Sequence, residues 1–476
     1  VPAIASDSSG NFVVVWSDAR NSIENGGLDT GTAIYGQRFA PDGLPIGGNF
    51  RVSEPALAGG HWSPSINMNK SGDFAVAWQG WSGSRVVRDI DIYARRYNSA
   101  GVPFGASFRV NDDNGTSAQI DARVLVRSNR SFICTWLDRR EGLLYSYAQF
   151  YDSAGTPRGS NFRVNSNAVE GLASLGGFDD GRFFLMWARY LQLYRTDGTP
   201  ESTLVNTGID GLPFSLGRDT LLIVWRPPPL ANTIYGRLIS TNGASLSDSL
   251  RIDDDALFQP KGAISVAHFD SERIVFVWRD HRNDPPGVIA DGDVYCQRYD
   301  RWAVPRGGNF KVNHESEERG QRDPATVFSL GNFITVWSDN QTPERCPPLP
   351  PGVIGQGIAN IMGTIQPFDN PTPGEVFGWR TKRSRCPPPS QFALYQNYPN
   401  PFNLETTIPF DVSSDSFVDI TVYDLLGRPV QRLVHDAFVV GRYRTTFNAA
   451  GLSSGIYFYR LSTDQFNHTQ RMILVK

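Results

Sequence analysis

Aspartates beside arginine recur at a fixed spacing, and a carboxylate is a side chain that binds cations or sugar hydroxyls. The pattern Trp-x-Asp-x-Arg occurs three times, at 16–20, 136–140 and 278–282, and a partial copy ends in Asp339. If the copies lie side by side, these carboxylates form a ring of calcium or sugar ligands on one face of the protein. The candidate ligands are Asp18, Asp138, Asp280, Asp291 and Asp293, and further aspartates of this kind are Asp89 and Asp91.

The alternative is that each aspartate is structural and caps a loop or pairs with the arginine of its own copy. Repetition favours this interpretation, because an active site occurs once whereas a structural solution recurs in every unit. Catalysis is the least favoured, because two carboxylates act as acid and base only in distinct environments. We therefore predict no catalytic residue, and calcium is the one candidate cofactor.

Three other patterns that could carry chemistry are weak. Gly-Leu-Ser-Ser-Gly at 451–455 has the spacing of a nucleophile elbow, but no strand-turn-helix context surrounds Ser453. The six histidines are scattered without the spacing of metal ligands. The acidic stretches 253–255 and 315–318 lack the alternation of a calcium loop, so we interpret both as solvated loops.

The tryptophan of the pattern ends an apolar run that recurs along the whole chain. Seven copies end in Trp16, Trp78, Trp136, Trp187, Trp225, Trp278 and Trp337. Subtracting neighbouring positions gives spacings of 38 to 62 residues, near the length of a propeller blade. A full copy also has a short segment before the run and two after it, as at 34–39 and 49–52. Four short strands in each repeat predict the blade of a β-propeller.

The apolar run itself limits the architecture. Every position from Phe12 to Trp16 is apolar, whereas a strand with one wet face alternates. Both faces of this strand must be covered, as they are between stacked blades. We therefore predict one seven-bladed β-propeller over residues 1–368, with the seven tryptophans in equivalent buried positions. The weakest copies are the fourth and fifth, which lack the aspartate after Trp187 and Trp225.

Composition excludes several classes of protein. With 46 glycines, 32 prolines and no sustained helix periodicity, the chain is predicted to be all-β. A net charge of −3 and no run of Lys or Arg leave nothing to neutralise phosphates, which argues against a nucleic-acid partner. No apolar run approaches the ~20 residues that span a bilayer. Val1 is not an initiator methionine, and we expect a removed signal peptide before it.

The character of the chain changes after residue 368. Residues 369–391 have no repeat signature and end in a proline run, which predicts a stiff, extended connector. Residues 392–476 contain short alternating segments separated by turns at Asp-Leu-Leu-Gly and Gly-Leu-Ser-Ser-Gly. Their length and pattern predict a small, Ig-like β-sandwich as a second domain.

This second domain carries dense motifs. They are Tyr-Pro-Asn-Pro-Phe-Asn at 398–403, Tyr-Asp-Leu-Leu-Gly-Arg at 423–428, Gly-Leu-Ser-Ser-Gly-Ile-Tyr-Phe-Tyr at 451–459 and a last strand ending in lysine. The segment resembles the type A C-terminal sorting domain of type IX secretion, found on proteins exported by Bacteroidetes-type bacteria. The matching positions are Tyr398, Pro399, Asn400, Pro401, Phe402, Asn403, Gly427, Gly455 and Lys476. Leu404 departs from the family, which usually has proline there.

The resemblance implies a route and a partner. It implies passage through the periplasm, handling by the type IX secretion machinery, and release or anchoring at the cell surface, often with removal of the tag. The repeats before it are loosely similar to those of other secreted proteins of such bacteria, and this similarity implies no activity.

Two classes of function remain open. The first is a non-enzymatic extracellular or cell-surface protein whose propeller is a scaffold for adhesion or for self-assembly into a surface layer or filament. The second is a secreted polysaccharide- or peptide-binding module, or a hydrolase, that uses the central pocket of the propeller. An enzyme needs one blade with singular polar residues, whereas the deviant copies at Trp187 and Trp225 lose polar residues. We therefore favour the first class and expect self-association.

The four cysteines fall into two kinds. Cys134 and Cys296 lie within apolar strands three copies apart, so we interpret them as buried, unpaired side chains. Cys346 and Cys386 lie in similar proline-rich loops that flank the end of the repeats. An oxidising compartment permits a disulfide between them, and the alternative is two free surface thiols, which secreted proteins seldom leave exposed.

We expect a Cys346–Cys386 disulfide in freshly secreted protein. It closes a loop of about 40 residues, which stabilises the fold by roughly 4 kcal/mol in the chain-entropy model. Peptide mapping without reductant is the measurement, and the same digest after reduction is its control. Recovery of both cysteines as free thiols rules the bridge out.

Overall fold

The computed structural model describes most of the chain. The described residues are 1–18, 32–54, 60–82, 89–115, 117–165, 173–201, 203–217, 219–227, 232–254, 261–269, 273–283, 292–300, 304–313, 321–339, 360–369, 371, 376–379, 391–397, 400–438 and 441–475. They form strands, turns and loops and contain no α-helix, so none of their segments could cross a membrane as a helix. They fall into two compact units, with strands β1–β28 in the first and β29–β35 in the second.

The described part of the first unit contains seven four-stranded sheets, numbered here in chain order. Sheet 1 contains β1 (Pro2–Ser6), β2 (Phe12–Asp18), β3 (Ala33–Phe39) and β4 (Pro45–Arg51). Sheet 2 contains β5 (His61–Met68), β6 (Phe74–Ser82), β7 (Asp89–Tyr97) and β8 (Phe108–Arg109). Sheet 3 contains β9 (Gln119–Val126), β10 (Phe132–Asp138), β11 (Tyr145–Tyr151) and β12 (Pro157–Arg163). Sheet 4 contains β13 (Ser174–Gly177), β14 (Phe183–Trp187), β15 (Tyr190–Tyr194) and β16 (Val205–Asn206).

The remaining three sheets have the same sequential order. Sheet 5 contains β17 (Leu212–Ser215), β18 (Thr220–Trp225), β19 (Tyr235–Ser240) and β20 (Leu250–Arg251). Sheet 6 contains β21 (Lys261–Phe269), β22 (Arg273–Asp280), β23 (Asp293–Asp300) and β24 (Phe310–Lys311). Sheet 7 contains β25 (Gln321–Ser329), β26 (Asn332–Asp339), β27 (Asn360–Pro367) and β28 (Val376–Trp379). Because β28 pairs with β27, sheet 7 extends beyond residue 368, into the segment predicted as a connector.

A separate apolar core lies between each pair of neighbouring sheets. In β2, Val13 and Val15 pack into the core shared with sheet 2, whereas Val14 and Trp16 pack into the core shared with sheet 7. Alternate side chains of a strand point to opposite faces, so a strand between two cores needs apolar residues at every position. This accounts for the unbroken apolar runs.

The last sheet packs against the first. Ile334 and Val336 of β26 share a core with Trp16. The Ser6 hydroxyl donates a hydrogen bond to the Phe328 carbonyl, and the Ser329 hydroxyl donates one to the Gly10 carbonyl, both at 2.7 Å. The seven sheets therefore form a closed, propeller-like arrangement, and the described strands of each sheet come from one continuous stretch of chain.

Arginines also join neighbouring sheets at the turn between the third and fourth strands. The Arg38 guanidinium of sheet 1 donates to the Ser99 and Ala100 carbonyls of sheet 2. Arg96 of sheet 2 donates in the same way to the corresponding turn of sheet 3. There Gly155 has φ +93°, and a Cβ at this residue would lie 2.4 Å from the Arg96 guanidinium. Glycine is needed for both reasons.

The seven tryptophans are not equally buried. Six are 0–6% exposed, namely Trp16, Trp78, Trp136, Trp187, Trp278 and Trp337. Trp225 is only partly buried, and its ring lies 5.9 Å from the Arg237 guanidinium.

Two sheets that share one core form the second unit. One contains β29 (Ala393–Leu394), β30 (Glu405–Val412) and β33 (Gly441–Asn448). The other contains β31 (Ser416–Tyr423), β32 (Pro429–Phe438), β34 (Gly455–Ser462) and β35 (Asn467–Leu474). Phe410 and Phe447 of the first sheet and Val418 and Tyr459 of the second are in the same core.

We expect Trp136→Ala to lower the free energy of unfolding of the first unit by about 3–5 kcal/mol, the usual cost of deleting a large core aromatic. Urea denaturation followed by circular dichroism is the measurement. Trp225→Ala is the matched control and should cost less, because solvent already reaches this ring. An equal loss for the two variants would contradict the expectation.

Candidate functional site

The aspartate of the repeated pattern lies beside its tryptophan. Asp138 ends β10 and is 0% exposed. Residues two apart in a strand face the same side, so the Trp136 indole N–H reaches Asp138 Oδ2 at 2.8 Å. Arg140 Nε and Nη2 donate to the same oxygen at 3.0 and 2.8 Å, and the Arg140 backbone N–H donates to Oδ1 at 2.8 Å. Both oxygens of this carboxylate therefore accept hydrogen bonds from N–H groups.

The same arginine ties sheet 3 to the loop that follows sheet 2. Arg140 Nη1 lies 2.7 Å from Asp112 Oδ1, and the guanidinium lies over the Tyr147 ring at 4.4 Å. Asp112 and Asn161 each accept the backbone N–H of the other on their side-chain oxygen, at 2.9 and 2.7 Å. Burial opposes the charge of Arg140, but its hydrogen bonds to Asp138 and Asp112 raise the pKa of the guanidinium above its usual value.

Sheet 6 repeats this arrangement. The Trp278 indole donates to Asp280 Oδ2 at 2.9 Å, and Arg282 Nη2 donates to the same oxygen at 2.7 Å. Arg282 Nη1 also lies 2.7 Å from Asp254 Oδ1 in the loop after sheet 5. Lys261 Nζ adds an ion pair 3.2 Å from Asp280 Oδ1. We name the set of tryptophan, aspartate, arginine and preceding-loop aspartate in sheets 3 and 6 the latch.

Several predicted ligands have other partners. In sheet 1 the Trp16 indole donates to Asp18 Oδ2 at 3.1 Å. Asp293 Oδ1 lies 2.9 Å from Asn313 Nδ2 and 2.8 Å from Lys311 Nζ.

The other aspartates lie in sheet 2 or outside the described part. Asp91 Oδ1 accepts a hydrogen bond from Asn111 Nδ2 at 2.6 Å, and Asp89 begins the same strand, β7. Asp291 and Arg20 lie outside the described residues, as does the side chain of Asp339.

The candidate aspartates are therefore distributed among separate sheets and paired within them. Asp18, Asp138 and Asp280 accept N–H donors, and a cation would have to displace these donors to reach the oxygens. Among the described residues, no group of three or more His, Cys, Asp or Glu side chains could hold a metal ion.

The sequence analysis missed a second repeated polar position. At Ser53, Asn111, Asn165, Asp253 and Asn313 a side-chain oxygen accepts the backbone N–H of the residue 19 positions earlier. Each of these residues directly follows the last repeated segment of its copy, as in Asn-Phe-Arg-Val-Asn at 161–165. The polar residue after the valine was the signal, and its role is to anchor the fourth strand to the start of the third.

Sheet 2 departs from the latch. Gly80 stands where sheets 3 and 6 have the aspartate, and a Cβ on Gly80 would lie 2.1 Å from the His61 ring. His61 is 6% exposed, and its ring meets Trp78 edge-on at 6.1 Å and Tyr93 at 5.8 Å. The Trp78 indole N–H has no hydrogen-bond acceptor within the described part of the chain. A histidine thus replaces the aspartate–arginine pair.

Two further tryptophans lie on the same sheet. The Trp62 and Trp81 rings are 5.3 Å apart and inclined at 50°, and both are partly exposed. Gln79 is the cross-strand partner of Trp62, and its side-chain oxygen accepts the Asp121 backbone N–H of sheet 3 at 2.8 Å. Asp121, which is exposed and has φ +59°, is thus tied to the strand that carries Trp81.

Two cysteines are described, and the other two are not. Cys134 and Cys296 are both 0% exposed and unpaired, and burial raises the pKa of both thiols. Cys346 and Cys386 lie outside the described residues. The Ser453 carbonyl accepts a hydrogen bond from the Tyr457 hydroxyl at 2.9 Å, which is a local turn contact.

Asn400 and Phe402 of the sorting motif cover an edge of the last strand. Asn400 Oδ1 accepts the Ile473 backbone N–H at 2.9 Å, and the Phe402 N–H donates to the Ile473 carbonyl at 3.0 Å. The Phe402 carbonyl accepts the Val475 N–H at 2.9 Å, while its ring, 2% exposed, lies in the core. The Asn400–Pro401 peptide is cis.

Other positions of the sorting motif have simpler roles. Gly427 has φ +75° in the turn closed by its hydrogen bond to the Asp424 carbonyl, and Gly455 begins β34. Asn403 and Leu404 lie in the turn before β30, where the Leu404 carbonyl accepts the Ala449 N–H at 2.7 Å. Tyr398, Pro399 and Lys476 lie outside the described residues.

We expect Arg140→Ala to destabilise the first unit by about 3–5 kcal/mol, because it leaves the buried Asp138 carboxylate without its counter-ion. Arg139→Ala is the matched control, because the neighbouring Arg139 side chain is exposed and should cost little. Urea denaturation with and without added CaCl₂ is the measurement. A midpoint that rises with calcium in the wild type, or equal losses in the two variants, would contradict a structural role for the latch.

In the comparison with known proteins, one family model matches part of the chain. Residues 396–476 match the family model described as the secretion system C-terminal sorting domain. A search of curated protein sequences gave no match.

Solved structures similar to this chain share little of its sequence. A protein of unknown function from Dyadobacter fermentans DSM 18053 has 10% identity and a TM-score of 0.44, over 76% of this chain and 93% of that one. PorZ, a surface component of the type IX secretion system of Porphyromonas gingivalis, has 9% identity and a TM-score of 0.35, over 100% and 70%. An α-L-arabinanase of Penicillium chrysogenum has 12% identity and a TM-score of 0.35, over 71% and 88%. Similarities at this level carry no argument about function.

The resemblance read from the motifs at 398–403, 423–428 and 451–459 is thus confirmed by an independent family match. The motif residues that the structure describes lie in one small β domain, with Phe402 in its core and Asn400 hydrogen-bonded to its last strand. The chain carries a type IX secretion C-terminal sorting domain at residues 396–476, which indicates export to the cell surface or the extracellular space.

Proposed function

We propose that the chain is a non-enzymatic protein of the cell surface or extracellular space whose first unit is a seven-bladed β-propeller and whose second is an Ig-like sandwich. The propeller acts as a scaffold for adhesion or for self-assembly into a surface layer or filament. Export through type IX secretion by the sorting domain supplies the location.

The observation that carries this proposal is that the repeated carboxylates are buried and already hydrogen-bonded to donors of the protein itself. Asp138 and Asp280 are 0% and 1% exposed, and each accepts hydrogen bonds from an indole and a guanidinium of its own sheet. A general acid or base must reach substrate, and these carboxylates face protein donors instead. The groups that suggested chemistry in the sequence are thereby assigned to the stability of the scaffold.

The edges of the sorting domain limit where strand pairing could link two molecules. The outer edge of β35 is covered near Ile473 by the Asn400 and Phe402 contacts. The edge strand β32 has two register shifts and carries Arg432 and His435, features that oppose edge-to-edge pairing. The edge strand β33 pairs with β30 without a register shift. The remaining edge strand, β29, has only two residues, so we propose a strand-pairing contact between molecules at β33.

A second candidate function is a secreted polysaccharide-binding module. The partly exposed pair Trp62 and Trp81 favours it, because aromatic side chains with nearby polar groups are typical of ligand sites. Adhesion through such a site is compatible with the scaffold role.

We expect the sorting domain to remain attached in the native surface material and to take part in self-association. Intact-mass analysis of protein harvested from the producing cells, with electron microscopy of the same sample, is the measurement. A strain lacking residues 392–476 cannot serve as the control, because loss of the sorting signal also blocks export. Purified recombinant chain with and without residues 392–476 is compared for assembly instead. Native chains that end before residue 392, or assemblies unchanged by the deletion, would overturn the proposal.

A further inference from the structure

Sheet 2 carries residues that the repeated fold does not need for its own formation. The first strands of sheets 2, 3, 6 and 7 share a register shift near the same position. Opposite the residue that follows the repeated tryptophan, sheets 3, 6 and 7 have Ile120, Gly262 and Arg322, whereas sheet 2 has Trp62. Since the same backbone forms with an isoleucine, a glycine or an arginine there, the fold does not require a tryptophan.

The second tryptophan is equally singular. Three positions after the repeated tryptophan, sheets 3, 6 and 7 have Arg139, His281 and Asn340, whereas sheet 2 has Trp81. The next position holds the latch arginine in sheets 3 and 6 and is Ser82 in sheet 2. The loss of the latch and the gain of two tryptophans thus occur in the same sheet.

Changes in packing accompany the loss of the aspartate in this sheet. Without the aspartate, the space beside Trp78 is filled by the buried His61 ring, and Gly80 leaves room for it. The strand that continues to Trp81 stays paired, since the Trp81 N–H donates to the Gly60 carbonyl at 3.2 Å. The backbone under both tryptophans is therefore held in place.

An acidic residue of sheet 3 lies on the side of β9 that meets the aromatic pair. The Gln79 side chain, cross-strand from Trp62 and two residues before Trp81, accepts the Asp121 backbone N–H at 2.8 Å and so fixes the backbone of this exposed aspartate beside the strand that carries Trp81. Tryptophan faces and a carboxylate are thus brought to one edge of sheets 2 and 3.

We propose that Trp62 and Trp81 form a binding platform for a sugar ring of an extracellular polysaccharide, with the Asp121 carboxylate accepting hydrogen bonds from its hydroxyl groups. The C–H face of a pyranose is apolar and packs on an indole, whereas its hydroxyls both donate and accept. The site binds without cleaving the sugar. It deepens the proposed surface role by naming the class of ligand through which the scaffold adheres.

A proline-rich peptide is the other ligand that aromatic surfaces bind. Its prolines lack N–H groups and offer only carbonyl oxygens, which accept hydrogen bonds. A carboxylate such as Asp121 accepts as well, so it repels these carbonyls, whereas it can take a hydrogen bond from a sugar hydroxyl. The carboxylate at this edge therefore favours a saccharide.

The test is affinity electrophoresis of the purified chain in native gels that contain one polysaccharide each: mixed-linkage β-glucan, xylan, galactomannan, dextran or pullulan. We expect at least one to retard the wild type. Trp62→Ala and Trp81→Ala should each raise the Kd by about tenfold or more, the loss expected for an aromatic contact. Asp121→Asn should weaken binding less, and Trp81→Phe should keep most of it, because an aromatic face remains.

Phe104→Ala is the matched control, because Phe104 is an exposed aromatic residue (47%) in the connection between β7 and β8, outside the pair. It should bind as the wild type does, and an unchanged thermal midpoint checks the fold of each variant. The proposal is overturned if none of the five polysaccharides retards the wild type, if the tryptophan variants bind normally, or if poly-L-proline is the ligand that they lose. If the protein assembles but binds no saccharide, the binding site is contradicted and the scaffold role stands. If it binds a saccharide but does not assemble, the self-assembly role is contradicted and the binding site stands.

Discussion

The burial of both faces of each sheet's second strand is the constraint on which the rest of the first unit depends. In β2, Val13 and Trp16 point into two different cores, and each core is completed by a neighbouring sheet. No sheet can bury its apolar residues alone, so each needs a neighbour on both sides. A row of such sheets leaves two uncovered faces, and packing sheet 7 against sheet 1 removes them. Closure thus follows from the same burial that forms each sheet.

Burial of the repeated tryptophan explains the polar residues around it. An indole N–H removed from water needs an acceptor, and Asp138 supplies it from the same face of the strand. The buried carboxylate in turn needs a counter-ion, which is Arg140, and the arginine reaches Asp112 in the loop that follows sheet 2. The motif that suggested ligands for a cation is therefore a series of hydrogen bonds and ion pairs in which each buried polar group receives a partner, and the series joins two sheets. Sheet 2 lacks this series of contacts: the Trp78 indole N–H has no acceptor within the described residues, and the buried His61 ring, for which Gly80 leaves room, packs beside it instead.

The sorting domain follows a different logic, because its motif acts on a distant strand. Asn400 and Phe402 bind Ile473 and Val475 across more than 70 residues of sequence. The start and the end of the domain are thus fixed to each other, and an edge that could pair with another chain is covered. Both ends of the domain are required for this arrangement, which is a physical reason why its motifs occur at both ends.

The sequence by itself determined the repeats, the all-β character and the sorting domain, because strand periodicity, turn residues and a dense motif are local. Trp16 and Trp136 stand out without any knowledge of their neighbours. Only the tertiary structure decided what Asp138 does. Arg140, which pairs with Asp138, also binds Asp112, and Asp112 lies in the loop that follows the preceding sheet. The same holds for β28, which has no repeat signature and is placed by pairing with β27, and for Trp62, whose relation to Asp121 passes through Gln79. These contacts join residues that are not neighbours in the chain. Their free energy depends on which surfaces meet in the folded protein, and local sequence patterns do not contain this information.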